Sequence, residues 1–272
     1  MKLSKHAKQN LRADKRVQGK RWGKTYGGFW HNPANAQAFV RATNRYLRAL
    51  PDEPAVLEVG SADGFLAETV ASHLRKLGKH PHVTISDMSA KHLAANPNPR
   101  TRKIQADLLT LNLTRTAGRF DVILMRSVLH YFPTLALQTR VLRRLRRHLA
   151  PGGVLLLQDS VFERQREADL LTRIFQTKLA PWRFNSTREI QTVTRHAGLR
   201  ATRVGFAPDI HVTHDDHARR YALTPADTRH IRALIQAVPA TDRPHHHLTK
   251  NGYTASAASA IYACRAPSTR TT

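Results

Sequence analysis

Glu58 stands two residues before a run of small residues, Gly60-Ser61-Ala62-Asp63-Gly64. Downstream, other groups able to do chemistry recur at intervals: Asp87, Asp107, then Arg126, Ser127, His130 and Tyr131. Small residues let a backbone come close to a bound molecule, and the free N–H groups at the start of a following helix favour polar or anionic atoms there. The turn therefore suits a nucleotide-like ligand. It is not a dinucleotide fingerprint, which needs glycines at the first, third and sixth places; counting from Gly60, those places hold Gly60, Ala62 and Phe65. Nor is it a phosphate-cradling Gly-Lys-Ser/Thr loop, since no lysine follows Gly64. Asp87, roughly 20 residues or more beyond the glycines, is placed to take ribose hydroxyls, or to start the helix that opens near Ser89, and one carboxylate can do both. Met88 can pack on a flat ring or fill a gap in the core. His130 reads either as a general base or as a packing residue at a strand end.

These residues need strands that end at one place. Ala55 to Val59 reads as a buried strand, followed by a helix whose Leu66, Val70, Leu74 and Leu77 recur at helical spacing. His82 to Asp87 and Lys103 to Ala106 read as the second and third strands. Phe120 to Met125 is an unbroken apolar run, as expected of a strand buried on both faces. Pro151-Gly152-Gly153 turns the chain into a fifth strand, Val154 to Gln158, which ends at Asp159 and Ser160. Before the first strand, Ala36, Phe39, Val40, Thr43 and Leu47 predict an amphipathic helix from Pro33 to Leu50. Leu135 to Leu149 predicts another, with Leu135, Leu142, Leu145 and Leu149 inward and Arg140, Arg143, Arg144 and Arg147 outward. A helical segment runs to Leu179 and breaks at Pro181 to Phe184. Ser186 and Glu189 make a capping box for a helix that Gly198 ends. Arg200 to Phe206 and Thr254 to Cys264 predict a final pair of strands, separated by an insertion with a helix over Thr224 to Val238.

With Glu58, Asp87 and Asp107, the stretches Phe120-Asp-Val-Ile123, Val128-Leu-His130 and Leu149-Ala-Pro-Gly-Gly153 fall in a fixed order across residues 55–160. In that order they resemble the S-adenosylmethionine-dependent methyltransferases of Rossmann-like fold, nearest to the ubiquinone and menaquinone methyltransferase group. Ala62 departs from the glycine usual in that family's first motif. The resemblance implies an α/β fold with a seven-stranded, mostly parallel sheet, helices on both faces and a partly helical cap. It also implies S-adenosyl-L-methionine as cofactor, held by Glu58, Gly60, Ser61, Ala62, Gly64, Asp87, Met88, Asp107, Leu108 and Arg126. Asp107 would accept from the adenine amino group. His130 and Tyr131 would be the catalytic candidates, no metal is required, and the acceptor would be a small molecule methylated on oxygen or carbon.

At 272 residues the chain fits one catalytic domain over residues 25–272, with cap segments 25–50, 161–185 and 207–253, behind a basic arm at residues 1–24. The net charge of +25 attracts polyanions. Nine of the Lys and Arg lie between Lys2 and Lys24, facing only Asp14, so the arm could touch RNA or be solvated decoration. An alternative is a module that keeps the fold for docking on RNA or protein and has lost turnover. Trp22 to Trp30 would tack this arm to the core or form a lid over a substrate. His211, His214, His217 and His245 to His247 crowd the insertion, as a metal site, as pocket walls or as solvated loop residues. No run of 18 apolar residues exists, the N-terminus lacks an apolar leader core, and the single Cys264 suits a reducing compartment, so a cytoplasmic location is expected.

Overall fold

A computed structural model describes residues 4, 8, 28–110, 118–177 and 182–267. Apart from Ser4 and Lys8, the basic arm lies outside the described residues, as do Trp22 to Gly27 of the aromatic loop and the Leu179 and Pro181 boundary.

Helix α1 (Pro33–Arg48) starts where Asn32 accepts from the Ala34 N–H and Pro33 presets the first turn. Then come β1 (Ala55–Val59), α2 (Phe65–Lys76), β2 (His82–Asp87), α3 (Ala90–Ala94), β3 (Arg102–Gln105) and β4 (Phe120–Arg126). They are followed by α4 (Leu135–Arg147), β5 (Leu149–Phe162), α5 (Gln165–Gln176), β6 (Asn185–Ser186), α6 (Thr187–His196) and β7 (Arg200–Thr213). The chain closes with α7 (His214–Tyr221), α8 (Pro225–Gln236), β8 (His246–Leu248) and β9 (Tyr253–Arg265).

The sheet runs β3-β2-β1-β4-β5-β9-β7, with β6 beside β5 and β8 beside β9, nine strands among the described residues. The expected seven form the main path. β1 pairs in parallel with both β2 and β4, and β9 returns antiparallel between β5 and β7. Side chains alternate across each strand. Leu57, Val59, Ile123, Met125, Leu155 and Leu157 therefore join Leu142, Leu145, Ile190 and Val193 under α4 and α6. Val56, Val122, Leu124 and Leu156 meet Phe39, Leu47, Leu66 and Val70 under α1 and α2 on the other face. Each such side chain, taken fully from water, contributes about 1.5–3 kcal/mol.

Two expectations change. β7 does not stop at Phe206 but reaches Thr213, pairing with β9 as far as Thr213↔Thr254. Register shifts at Arg203/Gly205 and Ala207/Ile210 absorb the irregularity, and Pro208, which has no N–H to give the ladder, falls inside the second. Residues 207–213 are thus sheet, and the insertion proper begins with α7. Of the 25–50 segment, α1 packs on the sheet beside α2 and β7, because Ala36, Phe39, Val40 and Leu47 belong to the sheet core.

Candidate functional site

The strand order reverses between β1 and β4, and a crevice opens beyond the carboxyl ends of strands at such a point. A cavity lies here. Glu58, Gly60, Ser61, Ala62, Asp87, Met88, Asp107, Leu108, Arg126, His130 and Tyr131 all line it, bringing the expected residues together. Gly64 is the exception. It starts α2 at φ +81°, and a Cβ there would meet Ile85 Cγ2 at 2.9 Å and Asn96 Nδ2 at 3.0 Å, so it shapes the turn from behind. Gly60, at φ +61°, has no room either, since its Cβ would come within 2.4 Å of Val128 Cγ2.

Ala62 is held at φ +50°, and its N–H donates to Asp87 Oδ2 at 3.0 Å. The other Asp87 oxygen accepts from the Ser89 N–H at 2.8 Å, while Ser89 itself caps α3. Asp87 thus ties the first turn to the end of β2. Buried Asp107 accepts from the N–H groups of Leu109 and Ser4, both at 2.9 Å. Glu58 accepts from the Ala67 N–H at 2.9 Å, and burial pushes its carboxyl up to about 7, against the pull of the Arg126 guanidinium. The raised value has a sign. A proton bound more tightly in the fold than in the open chain stabilises below about pH 4.5 and is lost as pH rises through about 7. The difference is on the order of 3 kcal/mol. Glu58→Gln is therefore expected to gain thermal stability relative to the parent, without cofactor, between pH 5 and pH 8; a pH-independent gap in melting temperature would refute this.

Arg126 donates from Nη2 to the Trp30 carbonyl at 2.9 Å, while its buried Nη1 has no partner among the described residues. Ser127 sits at φ +55° with its buried Oγ also unpartnered. Strain of this kind gathers at functional sites. His31 donates from Nε2 to Asp63 at 2.8 Å, leaving Nδ1 buried and without a partner among the described residues. Burial alone would raise the Asp63 carboxyl, but the His31 hydrogen bond and charge hold it below the usual range.

At the end of β4, His130 Nδ1 lies 2.8 Å from Asp159 Oδ1, and Asp159 Oδ2 accepts from the Leu129 and His130 N–H groups at 3.0 and 3.3 Å. An ionised carboxylate can only accept, so Nδ1 carries the proton and Nε2 keeps a free electron pair in the neutral ring. Phe184 stacks on the imidazole at 5.1 Å and 12°, Tyr131 at 4.8 Å and 27°.

The model of the family described as methyltransferase domain matches residues 29–204. The chain belongs to that family. With the family goes its cofactor, S-adenosylmethionine, and the cavity fits such a group: four acids, Glu58, Asp63, Asp87 and Asp107, a close-approach turn, and His31 Nδ1, Arg126 Nη1 and Ser127 Oγ, buried without partners among the described residues, belong to residues around one space. Chondramide synthase cmdD of Chondromyces crocatus is 31% identical over 147 residues, which are 51% of this methyltransferase chain and 4% of that protein. The chain thus spans a small fraction of that curated relative. The YcgJ protein of Bacillus subtilis superposes with a TM-score of 0.65 at 15% identity, over 84% of this chain and 99% of that one. Magnesium protoporphyrin IX methyltransferase of Synechocystis, with S-adenosylmethionine bound, superposes at 0.55 with 14% identity, over 98% and 100%. Among the described residues no helix is long and apolar enough to cross a membrane.

The histidines of the insertion stay away from this cavity. His211 is exposed on β7, His214 meets Thr228 at 2.9 Å, and buried His217 shares a 2.8 Å hydrogen bond with the Tyr253 hydroxyl. His245 and His246 both turn to Glu167, at 3.0 and 3.2 Å. No set of three metal-ligating side chains converges among the described residues. Sequence reasoning missed Asp159 as the partner of His130, although adjacent parallel strands put their ends together: Arg126 faces Gln158 in register. It also missed His31, Trp182 and Arg220 as cavity walls, and no motif marks them; Trp30, from the stretch read as a tack or a lid, lines the cavity too.

Proposed function

We propose that the chain methylates a small-molecule acceptor at a hydroxyl oxygen. The observation that carries this is His130 in the wall of the cavity that Glu58, Asp87 and Asp107 also line, with its Nδ1 held 2.8 Å from Asp159 Oδ1. S-adenosylmethionine supplies an electrophilic methyl group whose C–S bond breaks with its electron pair going to sulfur. Asp87 accepts from the ribose hydroxyls, Asp107 from the adenine amino group, and Met88 and Leu108 pack on the rings. Both carboxylates retain lone pairs beyond the backbone bonds already made. Arg126 Nη1 meets the methionine carboxylate, and Glu58, Gly60, Ser61 and Ala62 shape the turn beneath it. His130 Nε2 takes the acceptor's hydroxyl proton as the oxygen bonds to the methyl carbon, and Asp159 stabilises the imidazolium that forms. Tyr131 helps hold the acceptor against His130. Much of the rate comes from aligning the two reacting atoms. An acidic carbon could use the same base, so the position of the new methyl group in the product decides between oxygen and carbon.

Asp87→Ala is expected to weaken S-adenosylmethionine binding by about 1.5–3 kcal/mol, the range for hydrogen bonds to a charged group. Calorimetric titration of a variant that still melts cooperatively checks this, and unchanged affinity would remove Asp87 from the site. The function itself is tested with methyl-labelled cofactor and cell extract split into small molecules, RNA and protein. Label in the small-molecule fraction supports the reading; label in RNA or protein would replace it. Failure to bind S-adenosylmethionine at all would favour a docking module without turnover.

A further inference from the structure

Where the acceptor meets His130, the cavity wall comes from two segments: His130 and Tyr131 follow β4, and Trp182 precedes β6. A side chain outside the cavity joins the two. Gln138, near the start of α4, is fully buried although it carries an amide. Its Nε2 donates to the Phe132 carbonyl at 3.1 Å and to the Arg183 carbonyl at 3.3 Å, while its Oε1 accepts from Asn185 Nδ2 at 2.9 Å. Backbone carbonyls only accept, so the amide sits one way round, with its NH₂ toward both carbonyls and its oxygen toward Asn185. Asn185 is itself buried and pairs with Val161 of β5, two residues beyond Asp159.

This amide ties together the housing of the imidazole. Phe132 lies two residues past His130, and Arg183 directly precedes Phe184, whose ring stacks on the imidazole at 5.1 Å and 12°. The Arg183 N–H donates to the His130 carbonyl at 2.9 Å and the Phe184 N–H to Thr172 Oγ1 at 3.0 Å, which pins the segment between β4 and α5. Asp159 holds Nδ1 at 2.8 Å, but one hydrogen bond leaves a ring able to turn about that axis. The plane needs a second reference. Tyr131 shares the backbone of His130 and moves with it, whereas Phe184 comes from another segment and is the ring most nearly parallel to the imidazole. A buried amide with its bonds made specifies one arrangement of the groups around it.

We propose that Gln138 is a positioning residue for methyl transfer: by clamping the Phe132 and Arg183 carbonyls together, it fixes Phe184 against His130 and so sets the direction of Nε2. This rests on the reading of His130 as the base and adds a residue that lies outside the cavity. Aim matters because a reacting group misplaced by about 1 Å can lose about 10²-fold in rate.

The test uses the full chain and three variants. Gln138→Met keeps the length and removes the three hydrogen bonds, Phe184→Leu removes the stack alone, and His130→Ala identifies the His130 ring protons in NMR spectra by their loss. The shift of those signals from parent to Phe184→Leu measures the ring current of Phe184, and Gln138→Met is expected to reproduce most of it. With methyl-labelled cofactor and the small-molecule fraction of cell extract, Gln138→Met should lose about 10-fold to 10²-fold in rate, while S-adenosylmethionine affinity in calorimetry stays at the parental value. Combined with Phe184→Leu or His130→Ala it should cost little more, since residues that act through one group do not add. If Gln138→Met does not melt cooperatively, Gln138→Asn, which keeps the amide but shortens its reach, replaces it in every measurement. Ring signals that stay at their parental positions, or a rate loss as large in His130→Ala as in the parent, overturn the proposal. If His130→Ala keeps the full rate, the reading of the base falls instead, and the ring signals still decide whether Gln138 holds the stack.

Discussion

His130→Ala lowers the methyl-transfer rate by about 10²–10⁴-fold, the span for removing a positioned general base, while S-adenosylmethionine still binds. The imidazole is held by Asp159 on one side and by Phe184 and Tyr131 on its faces, so its Nε2 is fixed in direction before any acceptor arrives. Asp159→Asn is expected to fall in the same range, because an amide can present its NH₂ to Nδ1 and reverse the tautomer. Chemical rescue separates chemistry from packing. In His130→Ala, added imidazole is expected to restore part of the rate. A His130→Ala variant that keeps the rate, or that imidazole does not rescue, would show that His130 only fills space.

Ala62→Leu is expected to abolish S-adenosylmethionine binding in calorimetry. The residue lies in the cavity wall at φ +50°, with its N–H on Asp87, so a larger side chain either enters the ligand's space or turns the peptide away from Asp87. Either route removes the close approach that the turn provides. Ala62→Gly is the matched control. It relieves a left-handed alanine, worth about 1 kcal/mol, and should bind at least as well as the parent. Normal binding by the leucine variant would mean that the turn faces elsewhere.

Why the donor half could be read from residues and the acceptor half could not has a physical reason. The acids and the glycine turn lie at strand ends, and β1, β2 and β4 announce themselves through buried apolar runs such as Val122 to Met125. Once these strands are parallel neighbours, Glu58, Asp87 and His130 must come together. The edges were less legible. β7 runs on through Pro208 because two bulges absorb the misfit, which no alternation pattern reveals. α7 has a capping box in Thr213 and Asp216, but its few apolar positions among polar and charged residues leave no helical stripe to read. Trp182 and Arg220 reach the cavity from segments 38 residues apart, and only the folded packing of α5, α7 and the end of β4 unites them.

The apolar clusters of the cap are small and distinct from the two that sandwich the sheet. One gathers Phe162, Phe175, Trp182, Phe184 and Tyr221; another gathers Leu170, Ile174, Ile231, Ile235 and Tyr253. A cluster that stands apart can loosen without taking the larger ones with it, so its cooperative opening is local. For the lineage that carries this chain, that separation is a form of licence. Substitutions that reshape the wall around Trp182 and Arg220 draw on the stability of the cap alone, while the margin that keeps the whole chain above its folding threshold resides in the sheet. New acceptors can then be explored by mutation at little risk to the donor site, and the cap is where sequence drift should be fastest.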